Sequence, residues 1–156
     1  MALRVRAIRL ELDVSYAARR PWVPSPSQLA VWARAPLAHL RGTVELSVRI
    51  VGRARSRSLN SRYRRKERPT NVLSFGGAGS LPDGRCHLGE LVICAPVVAG
   101  EAHSFGKPLE AHWAHLTVHG VLHLLGYDHE DASEAVKMAA RETQILDRLG
   151  FSDPYC

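Results

Sequence analysis

Three histidines stand close together in the run HGVLHLLGYDH, His119 to His129, spaced four and then six residues apart. On a helix, residues i and i+4 bring their Cβ atoms to about 5–6 Å, so the His119 and His123 imidazoles can meet at one ion. Gly126 stops the helix just after His123, and the Gly-Tyr-Asp turn folds His129 back toward the same point. Three protein ligands on a tetrahedral ion leave one position for water, the arrangement of a catalytic rather than a structural site. In zinc peptidases a glutamate follows the first histidine and acts as the base. Here that position is Gly120, which cannot move a proton. A small Gly120 is expected to leave room for a bulky substrate over the helix.

Two further histidines, His112 and His115, share the helical face of His119 and His123 at 100° per residue. His115/His119 has the same spacing as His119/His123, so spacing alone does not choose the ligands. Nearness to the Gly126 turn favours His119 and His123. His112 and His115 then fall to packing or to hydrogen bonding behind the ligands. Asp128 is either a turn residue or a partner that orients a ligand histidine.

The second concentration of chemistry is basic. The segment RARSRSLNSRYRRKER, Arg53 to Arg68, carries eight cationic side chains and one acid, Glu67, within a chain of net charge +6. The chain from Glu130 onward is net acidic, so positive charge is gathered in one place. Such a strip fits a polyanion partner.

The elements that must hold these residues are legible from periodicity. LRVRAIRLELDV alternates as a first strand, and TVELSVRIVG alternates most cleanly of all. TNVLSF and LGELVICA read as two more strands, joined by a glycine-rich loop, GGAGSLPDG. Helices are expected in SPSQLAVWAR (capped by Ser25 or Ser27), in the basic segment to about Tyr63, and in PVVAGEAHSF. Two more follow: PLEAHWAHLTVHGVLHLL, with Pro108 in its first turn, and DASEAVKMAARETQILDRL, with Asp131 and Glu134 as a capping pair. The expected fold is an α+β single domain over residues 1–156. It has a roughly four-stranded mixed sheet, about five helices and a metal-bearing helix of zincin type.

Composition agrees with one globular domain. Hydrophobic residues make up 46% of the 156 and charged residues 23%. No apolar run approaches the ~18 residues of a membrane span, and the first residues lack the apolar stretch of a secretory signal. Cys86, Cys94 and Cys156 form no C-x-x-C pair and are odd in number, which argues against a disulfide framework. The cytoplasm is the expected compartment.

These motifs resemble the YbeY family of bacterial endoribonucleases implicated in ribosomal RNA maturation. The resemblance lies in His119-Gly120, His123-Leu124 and Gly126-Tyr127-Asp128-His129. It extends to Leu59-Asn60, Tyr63-Arg64, Lys66 and Pro69-Thr70-Asn71-Val72-Leu73-Ser74-Phe75, to LGELVIC, to EAHWAH and to the terminal DPY. It spans roughly residues 43 to 155. Glu67 and Glu90 stand where aspartates are common in the family. The resemblance implies a metal, usually zinc, on His119, His123 and His129, and a functional role for Arg64.

From this follows an expected chemistry. The ion lowers the pKa of a bound water and polarises an RNA phosphate oxygen. Arg64 grips the scissile phosphate with its guanidinium fork. Arg62, Arg65, Lys66 and Arg68 track the flanking backbone. Without the peptidase glutamate, metal hydroxide, His115 and Asp128 are the possible bases. The expected substrate is single-stranded RNA, in particular the 3′ end of 16S rRNA, and ribosomal particles or ribosomal proteins are expected partners. Two other readings stand beside it: a non-catalytic ribosome assembly factor whose metal pins the His129 loop, and a metallohydrolase of another substrate class.

Overall fold

The computed structural model describes residues 7–155. The order of elements is β1 (Arg9–Tyr16), α1 (Pro26–Arg34), a 3₁₀ turn (Ala35–Leu37), β2 (Thr43–Val51), α2 (Arg53–Arg64), β3 (Val72–Ser80) and β4 (Cys86–Cys94). Three helices follow: α3 (Ala95–Phe105), α4 (Leu109–Leu124) and α5 (Ala132–Arg148). The sheet runs β1-β2-β4-β3, with β1, β2 and β4 parallel and β3 antiparallel at one edge. This is the α+β architecture of one four-stranded mixed sheet and five α-helices that the sequence leads one to expect. Residues 3–6 of the expected first strand, and Cys156, lie outside the described residues. Cys86 and Cys94 are free thiols. Among the described residues no helix is long and apolar enough to cross a membrane.

The two faces of the sheet carry different layers. Val44, Leu46, Val48 and Ile50 of β2 join Leu91 and Ile93 of β4 in the main core, against α1, α4 and α5. The opposite face holds a smaller cluster, Val51, Leu73, Val92 and Cys94 under Leu59 of α2. The main core includes Leu29, Trp32, Trp113, Val118, Val121, Met138, Ile145 and Leu146. At roughly 1.5–3 kcal/mol per buried large apolar side chain, this face supplies most of the hydrophobic stabilisation.

Caps place the helix ends. Ser25 and Gln28 form the reciprocal box that starts α1. Asp131 accepts from the Glu134 amide at 2.8 Å to start α5. Pro108 is the N-cap of α4 rather than a member of its first turn. Gly126, at φ +100°, ends α4 in the left-handed region that glycine enters without strain. The Gly126 and Tyr127 amides reach back to His123 and Leu122, both at 3.0 Å. That turn directs the chain toward His129.

Two sequence expectations are corrected. The run GGAGS, expected as loop, belongs to β3, which pairs with β4 up to Ser80 opposite Cys86. Glycine suits it because a Cβ on Gly77 would lie 2.4 Å from the His87 carbonyl oxygen. On β4, Leu88 is an extra residue: Glu45 pairs with His87 and Leu46 with Gly89. Gly89 sits at φ +146°, and a Cβ there would come within 2.2 Å of the Phe75 carbonyl oxygen.

The second correction concerns Gly120. It does not open space for a substrate. It is buried against the sheet, where a Cβ would lie 2.8 Å from Leu91 Cδ2 and 3.4 Å from Val72 Cγ2. Its carbonyl accepts a hydrogen bond from the Ser74 hydroxyl at 3.3 Å. The glycine is thus a packing device that lets α4 approach β4 and β3 closely. Leu91 is fully buried and has nowhere to retreat. Gly120→Leu is therefore expected to lower unfolding free energy by about 3 kcal/mol or more through overpacking. Denaturant unfolding reads this directly, and unchanged stability would refute the packing role.

Candidate metal centre and adjoining groove

The sequence brings α4 to the sheet by its apolar face, which leaves the histidine face turned along α3, α5 and the C-terminal segment. Ring centroids step from His112 to His115 to His119 at 6.2 and 6.1 Å, then to His123 at 4.6 Å. His129 returns on the turn, with its ring 4.9 Å from His123 and 5.8 Å from His119. One ring nitrogen from each of His119, His123 and His129 lies within 4.8 Å of the other two.

The three residues fit a cation. His119 Nε2 and His123 Nε2 are 3.1 Å apart. Zn–N bonds of about 2.0–2.1 Å at a tetrahedral angle place ligand nitrogens about 3.3 Å apart. His119 Nδ1 contacts the Glu142 carboxylate, which accepts its N–H and leaves the Nε2 lone pair facing His123. Two imidazole lone pairs so close repel unless a proton or cation lies between them. Burial, then the neighbouring His119 and His129, push the His123 imidazole below its ordinary pKa and toward the neutral form a ligand needs. His129 is exposed and leaves the outer side open, and its amide donates to Asp128 Oδ1 at 2.7 Å.

Glu142, on α5, is a residue that the sequence alone does not single out. It is fully buried, with relative exposure of 0%. His119, His115 (2.8 Å) and the Tyr155 hydroxyl all donate to it. Burial raises its pKa, but the hydrogen bonds from His115 and His119 outweigh this and bring the carboxyl down to about 2. His115, His119 and Glu142 form a second group with metal-ligand spacing. Its donors already meet at hydrogen-bond separations in a closed interior, so the carboxylate serves as acceptor behind the histidines. His115 turns its Nε2 to Glu142, and its Nδ1 is buried. His112 is similarly tied, donating to Glu101 at 3.0 Å.

The groove in front of the triad is a cavity of about 840 Å³. Its walls include His119, His123, His129, Asp128, Glu130, the strand β3 and, from α2, Tyr63 and Arg64. Although α2 packs on the opposite face of the sheet from α4, its C-terminal turn reaches round the β3 edge. Tyr63 meets Phe75 edge-on at 5.0 Å, which anchors that turn. Two buried polar residues of α2 hold the basic loop that follows. Ser56 Oγ donates to the Thr70 carbonyl at 3.0 Å and accepts its amide at 2.9 Å, and Asn60 Nδ2 donates to the Arg68 carbonyl at 2.8 Å. Arg65 takes up a left-handed conformation, φ +56°, to turn the chain there.

The structure thus brings Arg64 to the histidine triad. Arg62, Arg65, Lys66 and Arg68 are exposed and do not line that cavity. Glu90 is away from it, paired with Arg49 at 2.8 Å, and Glu67 is exposed on the far side of α2. Glu130 is an acid at the groove that motif spacing does not bring out. Its position right after His129 is the signal that could have found it.

Glu142→Gln should leave His119 free to choose either tautomer and remove the anion behind it. Affinity for a divalent transition metal, measured by calorimetry on the metal-free protein, is expected to fall about 10–100-fold. Wild-type affinity in this variant would dismiss the orienting role.

Among known proteins, a solved solution structure, that of TM1509 from Thermotoga maritima, is similar at 23% identity, with 94% of this chain and 97% of that chain covered and a TM-score of 0.49. The family model described as Endoribonuclease YbeY matches residues 27–150, which include the triad, Arg64 and Glu142. The chain belongs to the YbeY endoribonuclease family.

Proposed function

We propose that this protein cuts single-stranded RNA with the help of a divalent metal, zinc by family resemblance, held by His119, His123 and His129. The observation that carries the reading is that Arg64 and the three histidines line one groove. Such an ion, when bound, supplies Lewis acidity toward a phosphate oxygen and an acidified water. The residues of the chain do the rest. Arg64 presents a planar fork that matches a phosphate and offsets charge developing there. Asp128 and Glu130 are the carboxylates in the groove placed to take a proton. The P–O bond that breaks releases an alkoxide, and RNA's own 2′-hydroxyl supplies the attacking oxygen, its proton passing to Asp128 or Glu130, so the peptidase glutamate missing at Gly120 is not required.

Arg62, Arg65, Lys66 and Arg68 extend positive charge beyond the groove and support contact with flanking phosphates. Family membership supports rRNA as the physiological substrate, at the 3′ end of 16S rRNA, in maturation and quality control. Ribosomal particles as partner and the cytoplasm as compartment go with that substrate.

The decisive assay compares wild type with Arg64→Glu and His119→Ala on single-stranded RNA in the presence of zinc. Arg64→Glu is expected to lose about 10²–10³-fold in cleavage rate, and His119→Ala to lose cleavage and metal together. Equal cleavage by all three would mark the activity as a contaminant. A wild type that binds ribosomal particles yet never cuts RNA would favour a non-catalytic assembly factor instead. A second measurement concerns the basic loop. Replacing Arg65 and Arg68 by Gln should reduce the slope of log affinity against log salt by about 1.4, since each phosphate that is no longer neutralised takes away about 0.7. An unchanged slope would remove these two side chains from the RNA path.

A further inference from the structure

A second cavity, of about 560 Å³, opens on the other side of His119 from the groove. Asn71 and His119 line both cavities, so the two adjoin. Two aromatic rings stand at it, Phe105 at 60% exposure and Tyr155 at 57%. Each is fixed by a histidine of α4: Phe105 meets His112 edge-on at 6.0 Å, and Tyr155 meets His115 edge-on at 5.6 Å. The Tyr155 hydroxyl is further held by Glu142. These are exposed aromatic planes, not core residues.

The floor is polar and anionic. Glu101 Oε1 accepts from Asn71 Nδ2 and from His112 Nε2, both at 3.0 Å. Burial raises the Glu101 pKa, but these two partners prevail and hold it below its ordinary value. Its second oxygen receives only a long 3.4 Å contact from Asn71 and keeps acceptor capacity. A phosphate is repelled by such a floor. A flat ring with N–H donors on its edge suits it. Lys107, with its ammonium 5.8 Å from the Phe105 ring centroid and bonded to the Pro154 carbonyl, adds a cation at the rim with donors to spare.

We propose that this cavity is a nucleobase pocket, which seats the base of a nucleotide next to the scissile phosphate between Phe105 and Tyr155, over Glu101. The proposal rests on the endoribonuclease reading of the adjoining groove. Among the bases, guanine offers two adjacent N–H donors, which the uncommitted Glu101 oxygen accepts together. Uracil flanks its single N–H with two carbonyls that the carboxylate repels. The pocket therefore prefers guanine and disfavours uracil, while stacking on the two rings tolerates any base.

The test uses the full-length protein in chelator, so that binding is read without cleavage. Labelled oligouridine octamers, plain or carrying one internal guanosine, are titrated by fluorescence anisotropy. Wild type is expected to bind the guanosine octamer at least fivefold more tightly than the plain one. Phe105→Ala and Phe105→Leu should weaken binding fivefold or more, and Phe105→Trp should restore it, because stacking needs a plane and not merely apolar bulk. Glu101→Gln should abolish the guanosine preference, with its thermal unfolding checked in parallel. Variants that all bind both octamers like wild type would overturn the pocket, as would a leucine that serves as well as tryptophan. Zinc is then restored and cleavage of the same octamers followed. Cleavage by wild type without any Phe105 or Glu101 effect on binding rejects the pocket alone. The binding signature without cleavage rejects the nuclease reading alone.

Discussion

Most of the chemistry in this molecule hangs on one buried carboxylate. Glu142 carries a charge into an interior where an isolated ion would cost several kcal/mol, and it is offset there by three hydrogen-bond donors. Those donors come from two turns of α4 and from the C-terminal segment, so the carboxylate fixes how α5 and Tyr155 seat against α4. It also decides which nitrogen of His119 carries the proton. The histidine triad on one side and the aromatic cavity on the other share this single anchor. Neither could keep its shape if α5 slid along α4.

The rest of the site is assembled at a sheet edge. β3 is the outer strand, α4 lies over one face and α2 over the other, and the groove forms where their C-terminal turns approach the edge. This explains why residues from so distant a segment as Arg64 reach the histidines. Ser56 and Asn60 matter here although they do not line the groove. By satisfying the backbone of the loop at Thr70 and Arg68, they replace the hydrogen bonds that a regular element would have made.

How much of this is legible in the sequence depends on the range of the signal. The triad is readable because its spacing is local: one helical turn and one glycine turn. The strands and helices are readable from periodicity, and the YbeY-like motifs point to Arg64. Glu142 is not readable. In AARETQIL it looks like one more acid on an amphipathic helix, and only tertiary packing reveals that it faces α4. Gly120 misleads for a related reason: the sequence shows a glycine in the helix but not which face meets the sheet. The GGAGS run resembles a loop because glycines have no side chains to reveal alternation, although close approach to β4 demands them.

The extra residue in β4 has a consequence for how the chain tolerates change in length. Side chains of a strand alternate between faces, so one inserted residue reverses the parity of everything after it. Leu88 and Leu91, three positions apart, both belong to the main core, whereas Val92 and Cys94 face the smaller cluster. Loss of a single residue near Gly89 would undo that reversal. Glu90 and Val92 would then turn toward α4, and Leu91 would leave its place over Gly120. A shortened hairpin tip at 81–85 would leave the parity of β4 intact, whereas a deletion at the bulge would turn the strand inside out beneath the histidine helix.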